Sequence, residues 1–410
     1  MDPGPRAILL HPNDGCLTIA RALVRRGVAV HALVDPRHSY VLAARGVTGR
    51  VAGDPATWTA ELQRLASDGG GVVICGSDAA SEWVQRHRAQ LPASLRTFET
   101  ADGPHRTLMD KFELYRIAPR AGVRAPWLHH VTGRAELAAL RASVPLPCVL
   151  KPDLGHVAKA SVGFGTQLVD SRETLDDRAG RLLDRGLSFV LTELVPGPET
   201  ALLGAVTVRD AQGRYPLEYG RRKIRQWPLD YGVGSLTESA DVPEALAAAR
   251  RLVEHTGFVG VSSCEFKRHA VTGELFLVEI NVRVPASYGL AEACEADGAW
   301  RLYATLAGLE LPEQPRPVAG RKVMLYSDLL AAWTRVRRGD AGVLEVLASW
   351  RGVRDVGVLD PRDPRPMLAL ARQVLGRRLA AVRARLRRNP PAAPVAAGHP
   401  PTTAREPSAP

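Results

Sequence analysis

The chain has 410 residues, 24% of them charged and 45% hydrophobic, the balance of a globular protein with room for two or three packed units. No apolar run approaches the ~18 residues that span a bilayer, and the opening MDPGPRAILLHPND lacks the basic-then-apolar order of a signal peptide. The formal charge of +11 is uneven: eight Arg and no acid lie between Arg365 and Arg388, and the rest of the chain carries about +3, so the basicity says little about the body.

Cys16, Cys75, Cys148, Cys264 and Cys294 form no CxxC pair. That spacing argues against a zinc site or a disulfide framework; it fits a reducing cytoplasm and small core residues.

Residues 6–34, RAILLHPNDGCLTIARALVRRGVAVHALV, predict a strand, a polar loop, a helix from about Cys16 to Arg26 stopped by Gly27, and a second, parallel strand. The helix-like WTAELQRLASD and the strand GVVICGS follow. Residues 1 to about 104 therefore read as a small doubly wound α/β domain. The loop His11–Gly15 has one Gly and no GxGxxG, so packing or substrate-side contact is its expected role.

Residues 105–127 predict a helix with Lys111 near its start, then a turn. The run PLPCVLKP predicts a strand ending in Lys151 and Pro152. A Lys closing a buried apolar strand is costly unless it meets an anion, and phosphate suits it. Next comes GHVAKASVGFGT, residues 155–166. Its Gly155, Gly163 and Gly165 predict a mobile loop between two strands, whose N–H groups suit phosphates. FVLTELVPGPE, residues 189–199, reads as a strand running into a turn. Extended backbone at Glu193–Val195 suits an adenine edge, and Glu199 suits ribose hydroxyls; a plain connection between two lobes fits the same residues.

In YGRRKIRQWPLDYGVGSLTES, residues 219–239, strand alternation puts Arg221, Lys223 and Arg225 on one face and Arg222 on the other. Three cations facing a cleft suit an anionic substrate and a triphosphate; a solvated basic strand is the alternative. The loop WPLDYGVG is expected to border an acceptor site. Residues 258–283, FVGVSSCEFKRHAVTGELFLVEINVR, predict a hairpin turning at Thr272-Gly273. Alternation puts Glu279, Asn281 and Arg283 on one face, where Glu265 meets them from the other strand. Two carboxylates and an amide oxygen suit Mg²⁺ shared with phosphates, and an Arg beside them suits a phosphate or a carboxylate.

Beyond Gly308 a Pro-rich connection leads to a strand and a helical segment. Residues 366–388 predict an amphipathic basic helix with Leu368, Val374, Leu375, Leu379, Val382 and Leu386 at helical spacing. Three roles are open for it: packing on the body, lying on an anionic membrane surface, or contacting nucleic acid or a partner. Residues 390–410 are Pro/Ala-rich and expected to be disordered.

The ordered set Lys111, Lys151-Pro152, a Gly loop, TELVPGPE, Glu265 and EINVR resembles the ATP-grasp superfamily over about residues 105–310. EINVRVPASYGLAEACEADG and the helix after it look most like the carboxylate–amine ligase branch that includes D-aspartate ligase. The resemblance implies an α/β N-terminal domain (residues 1–104) and a two-lobed ATP-grasp domain (105–315, small lobe about 105–192, large lobe about 193–315). A C-terminal helical extension (316–389) and the tail follow.

It implies that Lys111 and Lys151 contact the ATP phosphates and that Gly163 and Gly165 close over the γ-phosphate. Glu193, Leu194 and Val195 would read adenine, and Glu199 would hold the ribose. Glu265, Glu279 and Asn281 would ligate one or two Mg²⁺ (or Mn²⁺). Arg283 would stabilise the acyl phosphate or tetrahedral intermediate. Thr192 stands where many members have Glu or Gln. The implied activity joins a carboxylate to an amine at the expense of ATP, with small-molecule partners and no nucleic acid. Bicarbonate activation and a non-catalytic, membrane-associated nucleotide-binding role are the alternatives. A homodimer and peripheral membrane contact stay open.

Overall fold

The computed structural model describes residues 4–229 and 231–388; the tail 390–410, expected to be disordered, lies outside them. The chain begins with a parallel sheet of β1 (Ala7–Leu10), β2 (Val30–Val34), β3 (Val47–Val51), β4 (Gly71–Cys75) and β5 (Leu95–Arg96), ordered β3-β2-β1-β4-β5. Alternation along β1 divides its side chains between two layers. Ala7 and Leu9 pack with α1 (Asp14–Arg25), and Ile8 and Leu10 pack with α2 (Pro55–Ser67) and α3 (Asp78–His87). The doubly wound reading of this segment therefore holds. Helix α1 starts two residues before its expected start because the Asn13 side chain caps it, accepting from Cys16 N.

Helices α4 (His105–Met109) and α5 (Lys111–Ile117) lead to an antiparallel sheet of β6 (Leu128–Val131), β7 (Cys148–Pro152), β8 (Gln167–Val169) and β9 (Phe189–Glu193), ordered β6-β9-β7-β8. Helices α6 (Arg134–Leu140), α7 (Gly155–Val162) and α8 (Arg172–Leu183) belong to the same unit. Its core joins Leu150, Phe189 and Leu191 to Ala158, Leu175 and Leu182. The loop expected over residues 155–166 is thus helix for its first eight residues. His156, Val157, Ala158, Lys159 and Ala160 lack helix breakers, and Gly163, left-handed at φ +83°, ends the turn.

A seven-stranded sheet completes the molecule: β10 (Leu202–Arg209), β11 (Leu217–Trp227), β12 (Val233–Ser239), β13 (Gly260–Arg268), β14 (Leu275–Asn281), β15 (Lys322–Met324) and β16 (Val353–Asp355), ordered β14-β13-β10-β11-β12-β15-β16. Its helices are α9 (Pro243–His255), α10 (Gly289–Ala293), α11 (Gly298–Ala307), α12 (Ser327–Arg338), α13 (Val343–Ser349) and α14 (Arg365–Arg388). The C-terminal extension is thus part of this sheet, through β15 and β16. All five Cys are buried and free.

Alternation along β10 again assigns two layers. Ala205 faces α5 and α9 (Leu114, Leu252), whereas Val206 and Val208 join Leu17 of α1, Leu302 of α11 and Tyr288, the residue before α10, in one core with the N-terminal sheet. Burying each such side chain contributes roughly 1.5–3 kcal/mol. The shared core fixes the chain after β14 against the ends of β1 and β4. Val284 N donates to Cys75 O at 3.2 Å, and Asn13 Nδ2 donates to Val284 O at 2.7 Å. Gly15 is required by this junction, since a Cβ there would lie 2.2 Å from Pro285 O.

Candidate active site

A cleft of about 590 Å³ is lined from the four-stranded and the seven-stranded sheets: Val149 and Lys151 from β7, Lys223 from β11, Glu265 from β13, Val278 and Glu279 from β14. Glu193, Leu194, Val195 and Glu199 line it along the segment that passes from the small sheet to the large one.

The register of the hairpin builds its centre. Glu265 stands opposite Glu279 and Ser263 opposite Asn281. Between Glu265 and Phe266 the register slips, so Val278 is the extra residue of a bulge. Its carbonyl accepts instead from Lys151 Nζ at 3.1 Å and from Tyr115 Oη at 2.5 Å. Lys151 Nζ also donates to Tyr115 Oη at 2.5 Å. Burial pushes the Lys151 ammonium down to about 8, against the pull of Glu279 and Glu265. No carboxylate is in salt-bridge contact with this buried ammonium among the described residues.

Glu265 is held differently. Its Oε1 accepts from Arg221 at 2.7 Å and its Oε2 from Lys223 at 3.1 Å. Burial works to raise its carboxyl, and Lys223 and Arg221 outweigh that, holding it at about 2. Glu279 lies 3.8 Å from Lys111 Nζ and accepts from Asn281 Nδ2 at 3.2 Å. Arg283 donates to Asn281 Oδ1 at 3.0 Å and to Asp78 Oδ1 at 3.1 Å. Burial raises the Asp78 carboxyl, and Arg283, Lys111 and His156 bring it below the ordinary range. Counted at formal charge, Lys111, Lys151, Arg221 and Lys223 surround two carboxylates. The excess is positive, as an anionic ligand requires.

The donors fit Mg²⁺ chemically. Two carboxylates face each other across one register position, and the Asn281 amide oxygen, already accepting from Arg283, has a second lone pair. Like charges so placed repel; the four cations offset that repulsion, and a divalent cation would offset it further.

The sequence and the structure part at two places. Arg225 does not share the cleft face with Arg221 and Lys223. The pairing of β11 with β12 slips between Lys223 and Arg225, so strict alternation ends there and Gln226 lines the cleft instead. Arg225 turns to Asp328, with its Nη2 2.6 Å from Oδ2. Gly163 and Gly165 follow α7 and are not among the cleft-lining residues, whereas Thr166 is. Thr192 is fully buried, its hydroxyl donating to Val149 O at 3.4 Å.

Several lining or supporting residues carried no sequence signal. Arg335, Arg338 and Asp340 come from the end of α12 and the turn after it, and Arg335 lies 3.5 Å from Glu199. Tyr115 had a readable position, four residues after Lys111 and so on the same helix face. Asp78 had one too: it begins the helix after β4, beside the strand where the sheet order reverses. Leu229, Tyr231 and Gly232 of the WPLDYGVG loop line the cleft.

With this geometry in hand, the chain has the ATP-grasp fold. N5-carboxyaminoimidazole synthetase from Staphylococcus aureus in complex with ADP matches with a TM-score of 0.61 at 15% identity, over 82% of this chain and 87% of that one. The corresponding ribonucleotide synthetase from Thermus thermophilus matches with a TM-score of 0.58 at 20% identity, over 77% and 81%. The biotin carboxylase domain of Hydrogenobacter thermophilus 2-oxoglutarate carboxylase, solved with MgADP, ADP and bicarbonate, matches with a TM-score of 0.61 at 13% identity, over 78% and 73%. No protein-family model matches the chain, and no curated protein is similar to it in sequence.

Proposed function

We propose that this protein is an ATP-dependent ligase that activates a small-molecule carboxylate as an acyl phosphate and joins it to an amine. The observation that carries the reading is the pair Glu265–Glu279, in register across a hairpin, set in a cleft that also holds Lys151 and the segment Glu193–Val195.

A carboxylate is a poor acceptor for an amine because its leaving group would be an oxide. In the proposed reaction a carboxylate oxygen attacks the γ-phosphorus of ATP, the bond to the β,γ-bridging oxygen breaks, and ADP leaves. The amine nitrogen then attacks the acyl carbon, the bond to the phosphate oxygen breaks, and inorganic phosphate departs as the nitrogen loses a proton. The chain's own part is placement and charge. Lys151, fixed by Tyr115 and the Val278 carbonyl, presents its ammonium to a phosphate; Lys111 does so from the start of α5. The backbone of Glu193–Val195 reads the base, and Glu199 takes the ribose. Arg283, positioned by Asp78 and Asn281, stabilises oxyanion charge at the acyl centre. Glu265, Glu279 and Asn281 would hold Mg²⁺, which when bound neutralises charge on the phosphate oxygens.

Phosphate release with ATP across a panel of amino acids and small carboxylic acids tests the proposal. Release is expected only when an acid is present, and the complete reaction only with an amine. Glu279→Ala should abolish it; full activity in that variant would remove Glu279 from the site. Bicarbonate as the acid is the second reading, favoured by the bicarbonate in one of the solved structures that share the fold. Release driven by bicarbonate alone would select it.

A further inference from the structure

Among the described residues, sixteen large hydrophobic side chains are exposed, and ten of them lie between Leu329 and Leu379. That concentration falls in the C-terminal region, outside the cleft. Trp333 on α12 is 58% exposed, with the Arg337 guanidinium 4.7 Å above its ring, and Leu344 on α13 is 82% exposed.

Helix α14 divides into two parts. Its first turns are anchored: Pro366 is buried, Ala369 and Leu370 pack on the core shared by the two sheets, and Gln373 bonds the Pro36 carbonyl. From Val374 to Ala380 every residue is exposed. Of the three roles open for the apolar stripe, packing on the body is not the one taken by Leu368, Leu375 and Leu379, which are 49%, 59% and 49% exposed. At about 100° per residue these three fall within an arc of roughly 40°, with Arg372 and Arg378 on either side of it. The sequence carries the spacing on to Val382 and Leu386 and places no acid between Arg365 and Arg388.

We infer that α14 is a membrane-surface anchor that lays its leucine stripe into the headgroup boundary of an anionic bilayer. The stripe requires an apolar partner and the arginines an anionic one; an anionic lipid surface is both at once. A second copy of the helix offers the stripe but doubles the positive charge. Nucleic acid offers the charge but nothing for the leucines. Arginines beside the stripe bury their stems along the acyl boundary and reach the headgroups. No helix among the described residues is long and apolar enough to cross a membrane, so the attachment is peripheral and opposed by salt.

The test is sedimentation of the full chain with vesicles of phosphatidylcholine alone or mixed with phosphatidylglycerol. Binding is expected to the mixed vesicles only and to fall as salt is raised. Neutralising both flanking cations (Arg372→Gln with Arg378→Gln) should weaken partitioning roughly 30-fold. Leu375→Ser with Leu379→Ser should weaken it at unchanged charge. Both pairs point to solvent and lie outside the cleft, so ATP-dependent phosphate release serves as the control for folding. Equal binding to neutral vesicles, or none to either, would overturn the inference. So would a dimer in lipid-free buffer that the leucine variant converts to monomer, or DNA binding that this variant leaves intact.

Discussion

Lys223 and Arg225 stand two residues apart on β11, and each ends on an acid, yet only one of the two ion pairs belongs to a site. Asp328 is fully buried and accepts from Arg225 Nε and Nη2 (3.0 and 2.6 Å), from Ser235 at 2.8 Å and from Trp350 at 2.8 Å. The remaining arm of Arg225 donates to Ser349 at 2.7 Å. Nothing is left over. Glu265 is also paired twice, to Arg221 and Lys223, but it and Lys223 line the cleft, and Arg221 Nε has no hydrogen-bond partner among the described residues. A buried ion pair becomes a binding site only where a ligand can reach it and a donor is still to be satisfied. The bulge in β11 makes the difference, because it sends one cation back into the fold and leaves its neighbour at the cleft.

The sharpest way to break this contrast is to remove the acid on each side. Asp328→Ala leaves the Arg225 guanidinium buried without a counter-charge, which should cost about 3–5 kcal/mol by denaturant titration. Added ATP should restore none of that through Arg225. Glu265→Gln strands two cations, but beside an open cleft, so the loss should be smaller and phosphate or ATP should recover part of it. Equal losses in the two variants, or rescue of the first by phosphate, would show that the two pairs do not differ as described. Acid acts on the cleft pair in the same sense. Because the Glu265 carboxyl is held at about 2 against an ordinary 4.5, its contribution is present above pH 4.5 and is lost as pH falls toward 2.

Lys151 sharpens the comparison from the other direction, since it is buried with no carboxylate in contact. Its ammonium titrates near 8 instead of 10.5. Between those values the unfolded chain binds more protons than the folded one, so stability should rise with pH from about 8 to about 10.5. Affinity for ATP should move oppositely, weakening above pH 8 as the ammonium discharges. Lys151→Met should lose both slopes, gaining stability at neutral pH while losing ATP binding. Thermal denaturation and nucleotide titration across that range check the pair of trends; parallel movement of the two would show that Lys151 is not the phosphate ligand.

What the sequence disclosed tracks how local the cause is. The parallel sheet, the β13–β14 hairpin and the opposition of Glu265 to Glu279 follow from alternation and from turn residues close in the chain. The bulges do not, because a slip of one residue is decided by the strand alongside. Alternation therefore misplaced Arg225 and gave no hint that the Val278 carbonyl was free for Lys151. The glycines of residues 155–166 suggest a loop throughout, although the residues before Gly163 sustain a helix. Arg335 carries no local signal for a plainer reason: it lies 136 positions from Glu199 in the chain, and only the joining of β15 to β12 brings it to the cleft.

That joining supports the smallest effect worth measuring. Arg335 lies 3.5 Å from Glu199, with 31% of its side chain exposed and 18% of the Glu199 side chain. A pair this open contributes under about 1 kcal/mol, so Arg335→Gln should leave the fold intact. If Glu199 takes the ribose and Arg335 orients it, the substitution should raise the KM for ATP a few-fold, leave kcat alone and leave the KM for the carboxylate alone. Arg335→Lys, which keeps the charge but loses the planar fork, should fall between the two. A change in kcat, or in the carboxylate KM, would move Arg335 from the nucleotide end of the cleft to the reacting end, and with it the boundary between the sealed half of β11 and the open one.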